Sequence, residues 1–285
     1  MRLRDRVVFV TGGSRGIGRA IALACAREGA DLVVAAKGNA TDQTPPRGTV
    51  FDVARSIEAL GRRALPMQFD ITDAPAAEGS VASAVRHFGR IDVLVNNAGA
   101  FWMASVVETP VRKLDLVMSV NVRAAFVLSH AVLPHMIRQH YGHIVMMSPP
   151  LDLSGLSHHG AYALSKFGMT LLARAICDEE STHNVVAHAL WPATPIESSS
   201  SIDLGVGGPE TWRKPEIVAD ALVALVAREP SNIRGQAWVD ETVLRREGMT
   251  DFSRYQCVPG VEPPRFPLPR AGLTPDLDAG PVDDP

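Results

Sequence analysis

An apolar run, Val7-Val8-Phe9-Val10, opens directly into Thr11-Gly12-Gly13-Ser14-Arg15-Gly16-Ile17-Gly18, and an amphipathic stretch follows from Arg19 to Glu28. The run is short and β-branched, as a buried strand is, and the glycines fall where a chain must turn sharply before a helix starts. A strand, a tight turn and a helix N-terminus together aim free backbone N–H groups at one spot, which suits a pyrophosphate. Gly12 permits the turn, while Gly16 and Gly18 remove side chains where backbone or ligand comes close. The whole turn, with Ser14, Arg15 and Ile17, is the candidate dinucleotide cradle.

The rest of the chain repeats the alternation. Val7–Val10, Leu32–Ala36, Ala64–Phe69, Val93–Val95, Ile144–Met147, Val185–Leu190 and Ala237–Val239 read as buried strands. Helical patterns lie between them near Arg19–Glu28, Val50–Leu60, Pro75–Phe88, Val111–Gln139, Ala161–Glu180 and Ile217–Arg228. Such alternation builds a parallel sheet covered on both faces, and right-handed crossovers make it doubly wound. The expected fold is a single α/β domain of the doubly wound (Rossmann) class over residues 1–258, with a central parallel sheet of about seven strands. No repeat and no linker interrupts it before residue 240. Two segments depart from the pattern. Gly38–Gly48 is a polar loop with Pro45-Pro46, longer than the roughly two to six residues usual between strand and helix. From Pro259 to Pro285 prolines recur and the last residues are acidic, so this segment is expected as an extended arm on the domain or a frayed tail.

Composition narrows the function. The formal net charge of -3 comes without a long basic run, which argues against a nucleic-acid surface. Met1 to Arg6 leads straight into the first strand, so no secretory signal is expected. No stretch reaches the roughly 18 apolar residues of a membrane span. Cys25, Cys177 and Cys257 are odd in number and widely separated, as reduced thiols of a cytoplasmic protein are. The histidines lack HExxH or CxxC company, so no metal site is expected.

The end of the second strand selects the dinucleotide. NAD favours an Asp or Glu there, about 20 residues past the glycines, to bond the ribose 2′-hydroxyl. This chain reads Val33-Val34-Ala35-Ala36-Lys37, with Asp42 already in the loop. Lys37 can pair with a 2′-phosphate and Arg15 adds a second cation, which favours NADP(H) over the alternative of two solvated surface charges.

Tyr162 and Lys166 are four residues apart, one helical turn, and so share a face. A cation about 4 Å from a phenol contributes on the order of 4 kcal/mol at an effective dielectric near 20. That is enough to lower the phenol pKa by about three units and make Tyr162 an acid–base group.

With these residues assembled, the chain resembles the short-chain dehydrogenase/reductase family over about residues 5–240. The resemblance rests on Thr11–Gly18, Asp70, Asn96-Asn97-Ala98-Gly99, Asn121, and Tyr162 with Lys166. It is most similar to the hydroxysteroid-dehydrogenase-like type 2 branch, through Ala35-Ala36-Lys37, Ala64-Leu65-Pro66, Ser148-Pro149-Pro150, Ala189-Leu190-Trp191-Pro192 and Glu247-Gly248-Met249. The resemblance implies that Asp70 bonds the adenine and that Asn97, Ala98 and Gly99 line the adenosine. It implies that Lys166 also bonds the nicotinamide ribose, that Asn121 holds a water in a proton relay, and that Ile196 and Ser198 meet the nicotinamide amide. The plainer alternatives are a strand-end cap for Asp70 and a backbone tie for Asn121. One position departs from the pattern. The serine expected thirteen residues before the tyrosine is Pro149, and Ser148 one place earlier is the substitute donor. Losing such a donor costs roughly 3–4 kcal/mol of barrier.

The substrate pocket is expected at the carboxyl ends of the strands, lined by Phe101, Trp102, Leu151, Leu153, Trp191 and Ser199–Trp212. These residues suit a small apolar alcohol or ketone, fatty-acyl or steroid-like. The serine- and glycine-rich stretch Ser198–Gly208 reads as a lid or an ordinary surface loop. The family resemblance implies a homodimer or homotetramer through the helices Val111–Gln139 and Ala161–Glu180, which carry more apolar positions than one core stripe needs. The competing reading is a nucleotide-binding sensor or scaffold with little turnover, motivated by Pro149.

Overall fold

In the computed structural model, which describes residues 1–38, 48–150, 155–203, 205–233 and 235–267, the apolar runs become strands. They are β1 (Val7–Thr11), β2 (Asp31–Ala36), β3 (Ala64–Gln68), β4 (Val93–Asn96), β5 (Gly142–Met147), β6 (Val185–Trp191) and β7 (Ala237–Val239). All pair in parallel, in the order β3-β2-β1-β4-β5-β6-β7. Every residue of β1 and β6 is buried, as a sheet covered on both faces requires. The helices are α1 (Gly16–Arg27), α2 (Val50–Ala59), α3 (Ala74–Phe88), α4 (Val111–Val117), α5 (Ala124–Gln139), α6 (Gly160–Glu180), α7 (Ser199–Asp203), α8 (Glu216–Val226) and α9 (Asp240–Arg246).

Alternate residues of each strand face opposite layers. Val8 and Val10 pack with α1, α2, α8 and α9, while Val7 and Phe9 face α3, α5 and α6. The chain runs outward in opposite directions from β1, so β1 and β4 flank the crevice where a doubly wound sheet binds its ligand.

Three features differ from the sequence reading. The stretch Val111–Gln139 is one continuous helix whose middle, Met118–Arg123, is wound as a π-helix between α4 and α5. By length and composition alone that helix could cross a membrane, which was not expected. Its residues Leu128, Val132 and Met136 are fully buried in the core under the sheet. The short helices α7 and α9 were not anticipated. The loop at 39–47, the proposed pocket residues Leu151 and Leu153, and the tail past residue 267 lie outside the described residues. The first part of the proline-rich segment is an arm laid on the domain, with Phe266 N donating to Ala193 O at 2.8 Å.

Candidate active site

Thr11 closes β1 and ties the crevice together. Its Oγ1 donates to Val95 O and accepts from Asn97 N and Ala98 N, all within 3.1 Å. Asn97 Nδ2 donates back to Thr11 O at 2.9 Å. The two loops that must grip one ligand are therefore locked to each other. Gly12 and Gly16 have φ of +64° and +53°, which favour glycine. A Cβ on Gly18 would overlap the Gly12 carbonyl and come within 2.5 Å of Asn97 Nδ2. Arg15 is the N-cap of α1 but gives no side-chain cap, so the first turn of that helix keeps its N–H groups for an anion.

These residues line a cavity of about 670 Å³ that reaches from Lys37 and Asp70 at one end to Ser148, Tyr162 and Lys166 at the other. Ser14, Ile17, Ala98, Gly99, Ile196 and Ser198 also line it. A Cβ on Gly16 would stand 3.7 Å from Ser198 Cβ, so the loop after β6 faces the glycine turn across the cavity. The cradle and the uncapped helix fit the pyrophosphate of a dinucleotide.

At the end of the cavity beside β2 and β3, Lys37 Nζ and Asp70 Oδ2 form an ion pair of 2.7 Å. The hydrogen bond from Lys37, helped by Thr72 N and Oγ1, lowers the Asp70 carboxyl to about 2. The sequence assigned these side chains separate duties, and in the structure they hold each other.

At the other end, Tyr162 and Lys166 sit one turn apart on α6. Lys166 is buried, and its Nζ donates to Met147 O at 2.8 Å while lying 5.9 Å from the Tyr162 ring centroid. Phe101 meets the Tyr162 ring edge-on at 4.5 Å between centroids. Burial lowers Lys166 to about 8 and pushes the Tyr162 phenol up. The expected lowering of the phenol is therefore absent here. The ammonium is turned to a strand-end carbonyl, further off than the distance assumed, and desolvation of the phenolate wins.

The remaining residues are engaged. Asn121 sits in the π-helical turn with its side chain fully buried. Its Nδ2 donates to Ala100 O and Ser165 Oγ, and its Oδ1 accepts from Ala100 N, so the side chain ties the loop at Ala100 to α6. Ser148 lines the cavity, yet its Oγ accepts from Trp191 Nε1 at 3.1 Å and shares a hydrogen bond of 2.9 Å with Thr170 Oγ1. Trp191 is thus core rather than pocket wall. Trp102 lies under Lys113 Nζ, 4.5 Å from its ring centroid, outside the cavity lining. In the stretch Ser198–Gly208, Ser198 and Ser201 bond each other at the start of α7. Val206 lines the cavity and accepts from Trp212 Nε1. Leu116, Val120 and Phe266 also form walls that the sequence reading missed. The two on the long helix carry an apolar signal indistinguishable from core, and Phe266 stands outside any periodic element.

Comparison with known proteins agrees with this geometry. The short chain dehydrogenase family model matches residues 6–200. Hydroxysteroid dehydrogenase-like protein 2 of Rattus norvegicus is 40% identical over 264 residues, covering 91% of this chain and 49% of that protein. The Homo sapiens protein of the same name is 39% identical, with 91% and 62% covered. The chain thus spans about half to three-fifths of the length of these relatives. Among solved structures, a short chain dehydrogenase from Mycobacterium thermoresistibile is 36% identical with a TM-score of 0.84, covering 96% of this chain and 100% of that one. A metagenomic short-chain oxidoreductase in complex with NADP is 27% identical with a TM-score of 0.70, covering 84% and 97%.

Proposed function

The chain belongs to the short-chain dehydrogenase family and is similar to hydroxysteroid dehydrogenase-like protein 2, and on that footing we propose that it is an NADP(H)-dependent oxidoreductase acting on an apolar alcohol or ketone. One observation carries the reading: Tyr162 and Lys166 line the same cavity as Gly12, Gly16 and Gly18. The nicotinamide, when bound, supplies or accepts the hydride. Tyr162 then gives a proton to the carbonyl oxygen in reduction and takes it back in oxidation. The Lys166 ammonium, about 6 Å from that ring, is worth about 3 kcal/mol to a forming phenolate at an effective dielectric near 20. Phe101, Leu116, Val120 and Val206 give the substrate end apolar walls and help exclude water.

Lys37, just past the end of β2 where the chain reads Ala35-Ala36 with no acid, supports NADP(H). The exposed Phe126 on α5 and Leu164 and Leu171 on α6 support assembly of copies through these helices, as a homodimer or homotetramer. Three free cysteines support a cytoplasmic site.

A second reading, a nucleotide-binding module with little turnover, is favoured by the tied hydroxyl of Ser148 and by Pro149 beside it. Tyr162→Phe separates the two. The enzyme reading expects NADPH to bind as before while ketone reduction falls by a factor of about 10² to 10⁴. Equal rates in variant and parent remove Tyr162 as the acid.

A further inference from the structure

Residues 259–267 run across the carboxyl ends of β6 and β7 and end against the cavity. Phe266 N donates to Ala193 O, two residues past β6, and Phe266 is one of the cavity walls. Strand order places it far from Lys37 and Asp70, which stand at the ends of β2 and β3. Its partner Ala193 follows β6, the neighbour in the sheet of β5, whose end carries Met147, the carbonyl partner of Lys166. A side chain at this point meets whatever extends beyond the reacting centre.

The arm is fastened by a buried cation. Arg213 is 1% exposed, and its guanidinium pairs with Glu241, which follows β7, and with Glu262 of the arm. Arg265 of the arm reaches Glu241 at 2.6 Å. Gln256 Nε2 donates to Glu262 Oε2, and Gln256 Oε1 accepts from Gly260 N. The backbone of Arg213 meanwhile holds the loop after β6, since its N donates to Pro195 O and its O accepts from Glu197 N. A buried guanidinium is costly unless its partners stay in place. One residue therefore couples the loop Pro195–Glu197 to the arm that carries Phe266.

We propose that this arm is the outer wall of the substrate end of the cavity, with Phe266 a specificity-determining residue and Glu262, acting through Arg213, its positioning residue. The proposal rests on the hydride-transfer reading above. The occupant it fits is the apolar body of the alcohol or ketone, on the side away from the glycine turn. Removing the ring lengthens the pocket, and loosening Glu262 lets the ring swing away.

The test uses the full chain and the variants Phe266→Ala, Phe266→Leu, Glu262→Gln and Glu262→Asp. Phe266 lies outside the core, and Glu262→Gln leaves Arg213 its other partner, Glu241; urea unfolding of every variant checks that the domain stays folded. NADPH binding is followed by its fluorescence. Uptake of methyl ketones of graded length by the NADPH complex is followed by the same signal, and KM and kcat are measured beside it. The expected result is unchanged NADPH affinity in all variants. In Phe266→Ala the ratio of short-ketone to long-ketone affinity shifts at least about tenfold toward long ketones, the scale of one or more methylenes in an apolar pocket. Phe266→Leu falls between, Glu262→Gln shifts the ratio the same way with kcat near that of the parent, and Glu262→Asp restores it in part. Superimposable ketone profiles in all variants overturn the arm's role while leaving the cofactor reading intact. Loss of NADPH affinity in Phe266→Ala overturns it too, by making Phe266 a cofactor wall. A parent that binds no NADPH, or whose NADPH complex takes up no ketone, overturns the hydride-transfer reading and this proposal together.

Discussion

Lys37 Nζ lies 2.7 Å from Asp70 Oδ2, so the cation assigned to the 2′-phosphate and the carboxylate assigned to the adenine are partners before either meets a ligand. The lysine side chain is 75% exposed, and such a pair is worth about 0–1 kcal/mol, little enough for a phosphate to displace it. Lys37→Ala should weaken NADPH binding about tenfold or more, the loss of one charge-assisted contact, and leave NADH nearly unchanged. Lys37→Asp should go further, setting a second carboxylate beside Asp70 and offering the acceptor that a free 2′-hydroxyl needs. Dissociation constants for both nucleotides measure this, and an unaltered NADPH/NADH ratio removes Lys37 from phosphate recognition.

Two glycine-to-alanine changes should have opposite signs. At Gly18 the new methyl meets the Gly12 carbonyl and Asn97, so the turn must shift, at a cost of about 1–3 kcal/mol and with weaker nucleotide binding. At Gly79, exposed inside α3, a Cβ meets nothing within 4 Å. There alanine should stabilise the chain by about 0.5–1 kcal/mol. Urea unfolding of both variants checks the pair; stabilisation at Gly18 contradicts the close approach of the α1 helix to the glycine turn.

His143 and His188 are stacked in the core between β5 and β6, with His143 Nδ1 and His188 Nε2 3.4 Å apart. Burial lowers His143 to about 4, from an ordinary value of 6.5. The unfolded chain therefore takes up a proton near pH 6.5 that the folded chain refuses until about pH 4. Stability contributed at neutral pH is lost as pH falls through that window, by on the order of 3 kcal/mol. Unfolding free energies at pH 7.5, 6 and 5 should show the decline, and His143→Gln should reduce it while leaving the share of His188, which burial also holds neutral. A stability that rises on acidification contradicts the buried neutral pair.

Much of this was legible in the sequence, and the rest was not for physical reasons. Strands such as Val7–Thr11 and Val185–Trp191 are apolar but for Thr11 and His188 because both faces are covered, and that pattern is local. The glycine turn is equally local, because backbone conformation itself demands it. The π-helical turn at Met118–Arg123 is a change in hydrogen-bond register that leaves no mark on composition. The seven-residue α9 is too short to show a period. Spacing put Tyr162 and Lys166 on one face, but only coordinates show the ammonium turned to Met147 O. Trp191, with a pocket residue's composition, proves to be the donor that occupies Ser148.

That orientation of Lys166 has a pH signature. Burial holds the ammonium near 8, inside the ordinary assay range. In the free protein kcat/KM for ketone reduction should fall about tenfold per pH unit above that value, as the charge that stabilises the Tyr162 phenolate is lost. Lys166→Arg, which keeps its charge, should remove that limb. A profile flat from pH 7 to 10 in the parent contradicts the assignment.

On the proposed function, the phenol and the nicotinamide share one end of a single cavity. A crystal structure of the chain with NADP+ measures this most directly. The pyridine ring is predicted within about 5 Å of the Tyr162 hydroxyl, with room for a carbonyl between them at reacting distance. A ring held more than about 8 Å from that oxygen in every copy contradicts the account, because proton and hydride could not then reach one carbonyl group.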